Sequence, residues 1–152
     1  MHPGKLSKSE WIAALGGLLL GLCVFLPWYE PNRSNRNAVV AGSREAVSAW
    51  DAHNLLRFLF LVAAVAPLIL LYIVLRDHQL SWPRGEMTAV IGLTAATLLF
   101  YIGIIDRPGQ PSGEIELEIG WYGALLGAIL SAAGGALRSS ETGRKKKPPG
   151  VM

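Results

Sequence analysis

The sequence predicts an all-α transmembrane four-helix bundle with a small extracytoplasmic β element formed by its two outer loops. Composition is the first reason. Hydrophobic residues make up 51% of the 152 residues and charged residues only 16%, against about 25% charged in soluble domains. Spacing is the second. Four apolar runs, about 10–28, 54–75, 86–105 and 120–138, each approach the roughly 20 helical residues that cross a hydrocarbon core of about 30 Å. The third is the alternation Glu114-Ile115-Glu116-Leu117-Glu118-Ile119, a half-buried strand with Ile115, Leu117 and Ile119 on one face. The organisation expected is one membrane domain over 1–138, outer loops at 29–53 and 106–119, and a disordered basic tail at 139–152. None of the segments between spans is long enough to bury a core of its own.

Charge sets the expected orientation. Alternating spans place Lys5, Lys8, Arg76, Arg84, Arg138, Arg144, Lys145, Lys146 and Lys147 on one side, most of the 14 cations. Basic residues beside spans stay cytoplasmic, so both termini are expected in the cytoplasm of a bacterial plasma membrane. Residues 1–28 resemble a signal peptide in outline, but no small-residue cleavage site follows, so the segment reads as a retained anchor. The single cysteine, Cys23, lies in the first run and forms no internal disulfide. Leu22 stands where a lipoprotein signal needs a small residue.

The tryptophans fall near span ends. Trp11 and Trp82 mark inner boundaries; Trp28, Trp50 and Trp121 mark outer ones, joined by Tyr29 and Tyr122. Each is read as an interfacial anchor, because an indole has one apolar and one hydrogen-bonding end.

Span one carries Ala13, Gly17 and Gly21; span four carries Gly120, Gly123, Gly127, Ser131 and Gly134. Stripes of small residues let helix backbones approach closely. The reading favoured for Gly17, Gly21, Gly123 and Gly127 is packing of span one on span four; a homodimer face is the alternative. Pro67 should kink span two. Thr94, Thr97 and Tyr101 share one face of span three; they could line a polar path, but the favoured reading is hydroxyls that bond a carbonyl one turn back or glue helices together.

In the first outer loop, Gly42-Ser43 separates two short runs and reads as a hairpin turn. Glu114, Glu116 and Glu118 are then expected to meet Arg33, Arg36 and Arg44, joining the loops into a cap.

Little points to chemistry. His2 and His78 fall on one expected side and His53 on the other, so no metal set converges. Ser48, Asp51 and His53 are close in sequence, but a triad is recognised by geometry. Phosphate-loop and dinucleotide fingerprints are missing. No catalytic or cofactor-binding residue and no cofactor is therefore assigned. One polar constellation remains at the outer boundary: Asp51 and His53 before span two, Arg57 within it, and Asp106 ending span three. Arg57 and Asp106 are expected to form a structural ion pair. The basic tail points to anionic lipid rather than nucleic acid.

The series Phe25-Leu26-Pro27-Trp28-Tyr29-Glu30, Ser48-Ala49-Trp50-Asp51-Ala52, Ile105-Asp106-Arg107-Pro108-Gly109 and Gly120-Trp121-Tyr122-Gly123 resembles a group of small, uncharacterised four-span membrane proteins of actinobacteria. That resemblance covers 10–140 and implies the fold without an activity. A looser architectural likeness is to claudin-type four-span proteins, although their loop cysteine pair is missing. The functional expectation is a non-enzymatic scaffold or accessory subunit, with the bilayer and a membrane-protein partner or second copy as its contacts. The alternatives are an oligomeric small transporter or channel, or a membrane-embedded enzyme on lipid or envelope precursors.

Overall fold

The computed structural model describes residues 6–76 and 85–144. Trp82, His2, His78 and residues 145–152 of the expected tail lie outside them. The chain is mostly helical, with three helices long and apolar enough to cross a membrane and one small three-stranded sheet.

Helix α1 spans Lys8–Cys23. Its start is fixed by a capping box: Ser7 Oγ accepts from the Glu10 amide and the Ser7 amide donates to the Glu10 carboxylate, satisfying two otherwise orphaned donors. The helix ends at Cys23, five residues before the expected boundary at 28. Pro27 cannot continue it, lacking an N–H and pushing its predecessor toward extended backbone. The segment read as the end of span one is instead strand β1, Pro27–Pro31.

That strand is the centre of the sheet. Strand β2, Val47–Ser48, pairs with it on one side and strand β3, Ile115–Leu117, on the other, both antiparallel. Tyr29 lies opposite Val47 and Leu117, and Pro31 opposite Ile115. The two loops are thus joined through a strand contributed by the end of the first run. The Gly42 turn is present, with Ala41 and Gly42 at φ 49° and 77°, but it closes only a Val40–Ser43 bridge. Of the alternating strand, Ile115 is buried, Leu117 half-buried and Ile119 exposed, because Ile119 already opens the next helix.

A short helix, α2, Ala49–Ala52, leads into α3, Leu56–Leu75, with Pro67 buried inside it. Helix α4 runs Glu86–Phe100 and continues as a wider π turn over Tyr101–Ile105. Helix α5 covers Ile119–Arg144, so residues 139–144 extend the helix past 138 and are not tail.

Helix α1 lies along α5 and beside α3, and α5 also lies along α4. Small residues permit this closeness. A Cβ on Gly16 would sit 2.5 Å from the Ser131 amide, one on Gly127 2.6 Å from the Leu20 amide, and one on Gly123 2.5 Å from Cys23 Sγ. Ser131 Oγ donates across the same seam to the Ala13 carbonyl at 3.1 Å. Gly17 and Gly21 face the other way, toward Pro67 and Ala64 of α3. Gly16, not Gly17, is what α1 presents to α5. On α4, Gly92 meets Ala132 in the same manner.

The helical interior is accordingly rich in small residues, Ala13, Ala14, Ala63, Ala64, Ala95, Ala124 and Ala128 beside Leu20, Phe60 and Leu99, while Leu15, Leu18, Leu22, Val62, Ile69, Val90, Leu93, Leu126 and Ile129 are exposed.

Candidate functional site

The larger buried side chains gather where the sheet meets the helix ends. Trp28 and Tyr29 are successive residues of β1 yet both are fully buried: Trp28 packs on Phe60 of α3, and Tyr29 on His53 with its hydroxyl toward the π turn. The Trp28 indole donates to the Cys23 carbonyl at 2.7 Å, a second bond to an acceptor that also takes the Leu26 amide at 3.1 Å. Trp121, 3% exposed, donates to the Leu99 carbonyl at 3.0 Å. Its ring fills the space beside Gly103 in the π turn, where a Cβ would come within 2.4 Å. Trp28 and Trp121 are therefore core residues of the cap rather than the interfacial anchors expected. Trp50 is half-buried, and Trp11 is exposed near the start of α1.

The Tyr29 hydroxyl lies 2.9 Å from His53 Nε2 and 3.5 Å from the Ile102 carbonyl. Both rings stand edge-on to one another, and Trp28 packs against each. Burial lowers the His53 pKa below its ordinary 6.5, because a charged imidazolium loses hydration there. Burial also raises the Tyr29 phenol, opposed by the positive charge of Arg107. Arg107 donates Nε to the Gly103 carbonyl at 2.8 Å and Nη1 to the Ile115 carbonyl, tying the π turn to β3.

The expected polar cluster separates. Ser48 Oγ donates to the Asp51 carboxylate at 2.7 Å, whereas His53 turns to Tyr29, so the three residues form no Ser–His–Asp chain. Nor does Arg57 pair with Asp106, which is absent from the ion pairs among the described residues. Arg57 Nη1 donates to the Trp50 carbonyl at 2.9 Å, and its guanidinium carbon lies 4.6 Å from the Trp50 ring centre and 4.9 Å from that of Phe58. Trp50 reaches Arg57 because α2 turns the chain back over the start of α3; seven residues of separation hide that in sequence. Arg33 pairs locally with Glu30, and Glu114 accepts from the Asn32 amide group, so the expected bridges between loop acids and Arg33, Arg36 or Arg44 are replaced. No group of three His, Cys, Asp or Glu residues suited to a metal occurs among the described residues.

Thr94 and Thr97 hydroxyls donate to the Val90 and Leu93 carbonyls one turn back, and both residues are exposed on the outside of α4. Within one chain they line no path.

At the other end of the bundle is an ion pair that sequence reading missed. Arg138 Nε lies 3.0 Å from the Glu10 carboxylate, whose side chain is 1% exposed. Glu141 accepts from Ser9 at 3.1 Å and pairs with Arg138 at 3.4 Å. Glu10 is conspicuous as an acid entering an apolar run, but its partner is distant in sequence. Compared with protein-family models, curated proteins and solved structures, the chain matches none.

Proposed function

We propose that this chain is a four-span integral protein of a bacterial plasma membrane, acting as a non-enzymatic scaffold or accessory subunit. One observation carries the membrane reading: its helices bury mostly alanine and glycine, with a few larger residues such as Leu20 and Leu99, and expose most of their leucine, isoleucine and valine. In water that arrangement leaves apolar patches uncovered. In lipid it places side chains against tails and lets backbones pack through small residues.

Helix α1 has 16 residues, about 24 Å at 1.5 Å per residue, shorter than α3, α5 and α4 taken with its π turn. It lies along α5 as the fourth span, and a short span is accommodated by local thinning of the bilayer. The charge bias supports both termini in the cytoplasm. The accessory role is favoured because Asp51 is bonded to Ser48, His53 to Tyr29, and Asp106 is exposed, so the three form no shared site.

The test is extraction of the tagged protein into native nanodiscs, followed by particle mass and identification of co-purifying proteins. A reproducible membrane partner supports the reading; a homo-oligomer that moves a solute in liposomes replaces it with the transporter. Orientation is read by labelling with an impermeant maleimide, since the lone Cys23 is buried. Arg36→Cys should label in intact cells and Ser140→Cys only after lysis.

A further inference from the structure

Arg57 is a cation at the first turn of an apolar helix and takes part in none of the ion pairs among the described residues. A guanidinium carries five N–H donors. Here Nη1 serves the Trp50 carbonyl and Nε is buried without a hydrogen bond. The guanidinium carbon lies within 4.6 Å and 4.9 Å of the Trp50 and Phe58 ring centres, and the residue stays half-buried, with its remaining Nη donors unused among the described residues. Asp51, the nearest acid in sequence, is turned to Ser48.

The surroundings are apolar and uncovered. Phe25 packs on Trp50 with ring centres 5.4 Å apart. Phe25 is 58% exposed, Phe58 50% and Leu55 72%. A fixed cation with a free donor edge, rimmed by exposed apolar side chains, matches a ligand with an anionic head and a hydrocarbon tail. Arginine's planar fork suits phosphate, and the cation–π contacts with Trp50 and Phe58 hold it in place.

We propose that Arg57, set between Trp50 and Phe58, binds the phosphate of a membrane phospholipid at the sheet end of the bundle. The proposal rests on the membrane reading above and assigns its lipid contact at that end to one side chain.

The full-length chain is first reconstituted in vesicles and floated on a density gradient. It is then taken into mild detergent with dioleoyl-phosphatidylglycerol or dioleoylglycerol, which share tails and differ in the phosphate head. Native mass spectrometry reads the lipid retained. The wild type should hold phosphatidylglycerol and release dioleoylglycerol. Arg57→Gln should reduce phospholipid retention about tenfold, the scale of one lost charge-assisted contact. Arg57→Lys, which keeps charge but not the fork, should fall between them. Arg36→Gln, in the exposed loop, should match the wild type.

A chain that fails to float overturns the membrane reading and this site with it. A chain that floats yet retains both lipids alike, or retains phospholipid equally in the wild type, Arg57→Gln and Arg57→Lys, overturns the site alone. Displacement of the lipid by excess inorganic phosphate overturns the lipid assignment and marks a free-phosphate site.

Discussion

The Tyr29 hydroxyl and His53 Nε2 stand 2.9 Å apart, joining the central strand to the residue that follows α2. The Ile102 carbonyl of the π turn is 3.5 Å from the same hydroxyl, so three chain segments meet at one phenol. Because burial depresses the His53 pKa below 6.5, the unfolded chain binds the extra proton before the folded one does. Stability from this junction is therefore complete above the unfolded value and is lost as pH falls toward the depressed folded value. The thermal midpoint in detergent should drop on acidification from about pH 7 to about pH 5. In His53→Gln, the part of that slope due to the imidazole should vanish; an unchanged slope would show that His53 does not sense the proton.

Glycine positions separate into tight and open ones. Gly103→Ala would press a methyl into the Trp121 ring at 2.4 Å, and Gly127→Ala would press one onto the Leu20 amide at 2.6 Å. Neither a packed indole nor a helix backbone yields easily, so each should cost about 1–3 kcal/mol. Gly113→Ala meets nothing within 4 Å and should stay within about 0.5 kcal/mol of the wild type. Denaturation in detergent micelles compares the three directly. Equal effects at Gly103, Gly127 and Gly113 would contradict the close α1–α5 and π-turn contacts.

Both cap indoles act as hydrogen-bond donors to helix carbonyls. Trp28→Phe keeps most of the ring and removes the bond to Cys23; Trp121→Phe does the same for Leu99. Trp121→Phe should destabilise by about 1–3 kcal/mol, the cost of a buried acceptor losing its indole donor; Trp28→Phe should cost less, because the Leu26 amide still donates to the Cys23 carbonyl. An interfacial indole would tolerate the same change with little effect. Tryptophan fluorescence supplies a second reading. In a Trp28-only background the emission should lie to the blue, and lipid-borne quenchers should affect Trp11 more than Trp28.

Apolar run lengths made three membrane-length helices legible, and alternation at Glu114–Ile119 made β3 legible. The central strand was hidden because Pro27-Trp28-Tyr29 reads equally as an aromatic span end; what decides is the Trp28 indole turning back to Cys23. Gly17 and Gly21 stood out by their regular spacing, yet that spacing does not say which neighbour a stripe faces, and theirs is α3. Arg57 was visible as a cation near an interface, but its partner is a backbone carbonyl, and carbonyls leave no mark in sequence. The π turn was equally silent, since the ring packed against its Gly103, that of Trp121, comes from another helix.

The Glu10–Arg138 pair closes the opposite end of the bundle. Glu10 caps its own helix through Ser7 and meets Arg138 Nε at 3.0 Å, with only 1% of its side chain exposed. A buried pair adds little over an apolar replacement, but removing one member strands the other charge. Arg138→Met should therefore cost about 3–5 kcal/mol, reduced to the extent that Glu10 keeps its bond from the Ser7 amide. Glu10→Leu should cost more than the pair alone, because the capping box goes with it. The double variant Glu10→Leu/Arg138→Met should be less damaged than the sum of the two. A double-mutant cycle on thermal unfolding measures that difference. Strict additivity would mean that α1 and α5 are held by their glycine seam and not by this charge pair.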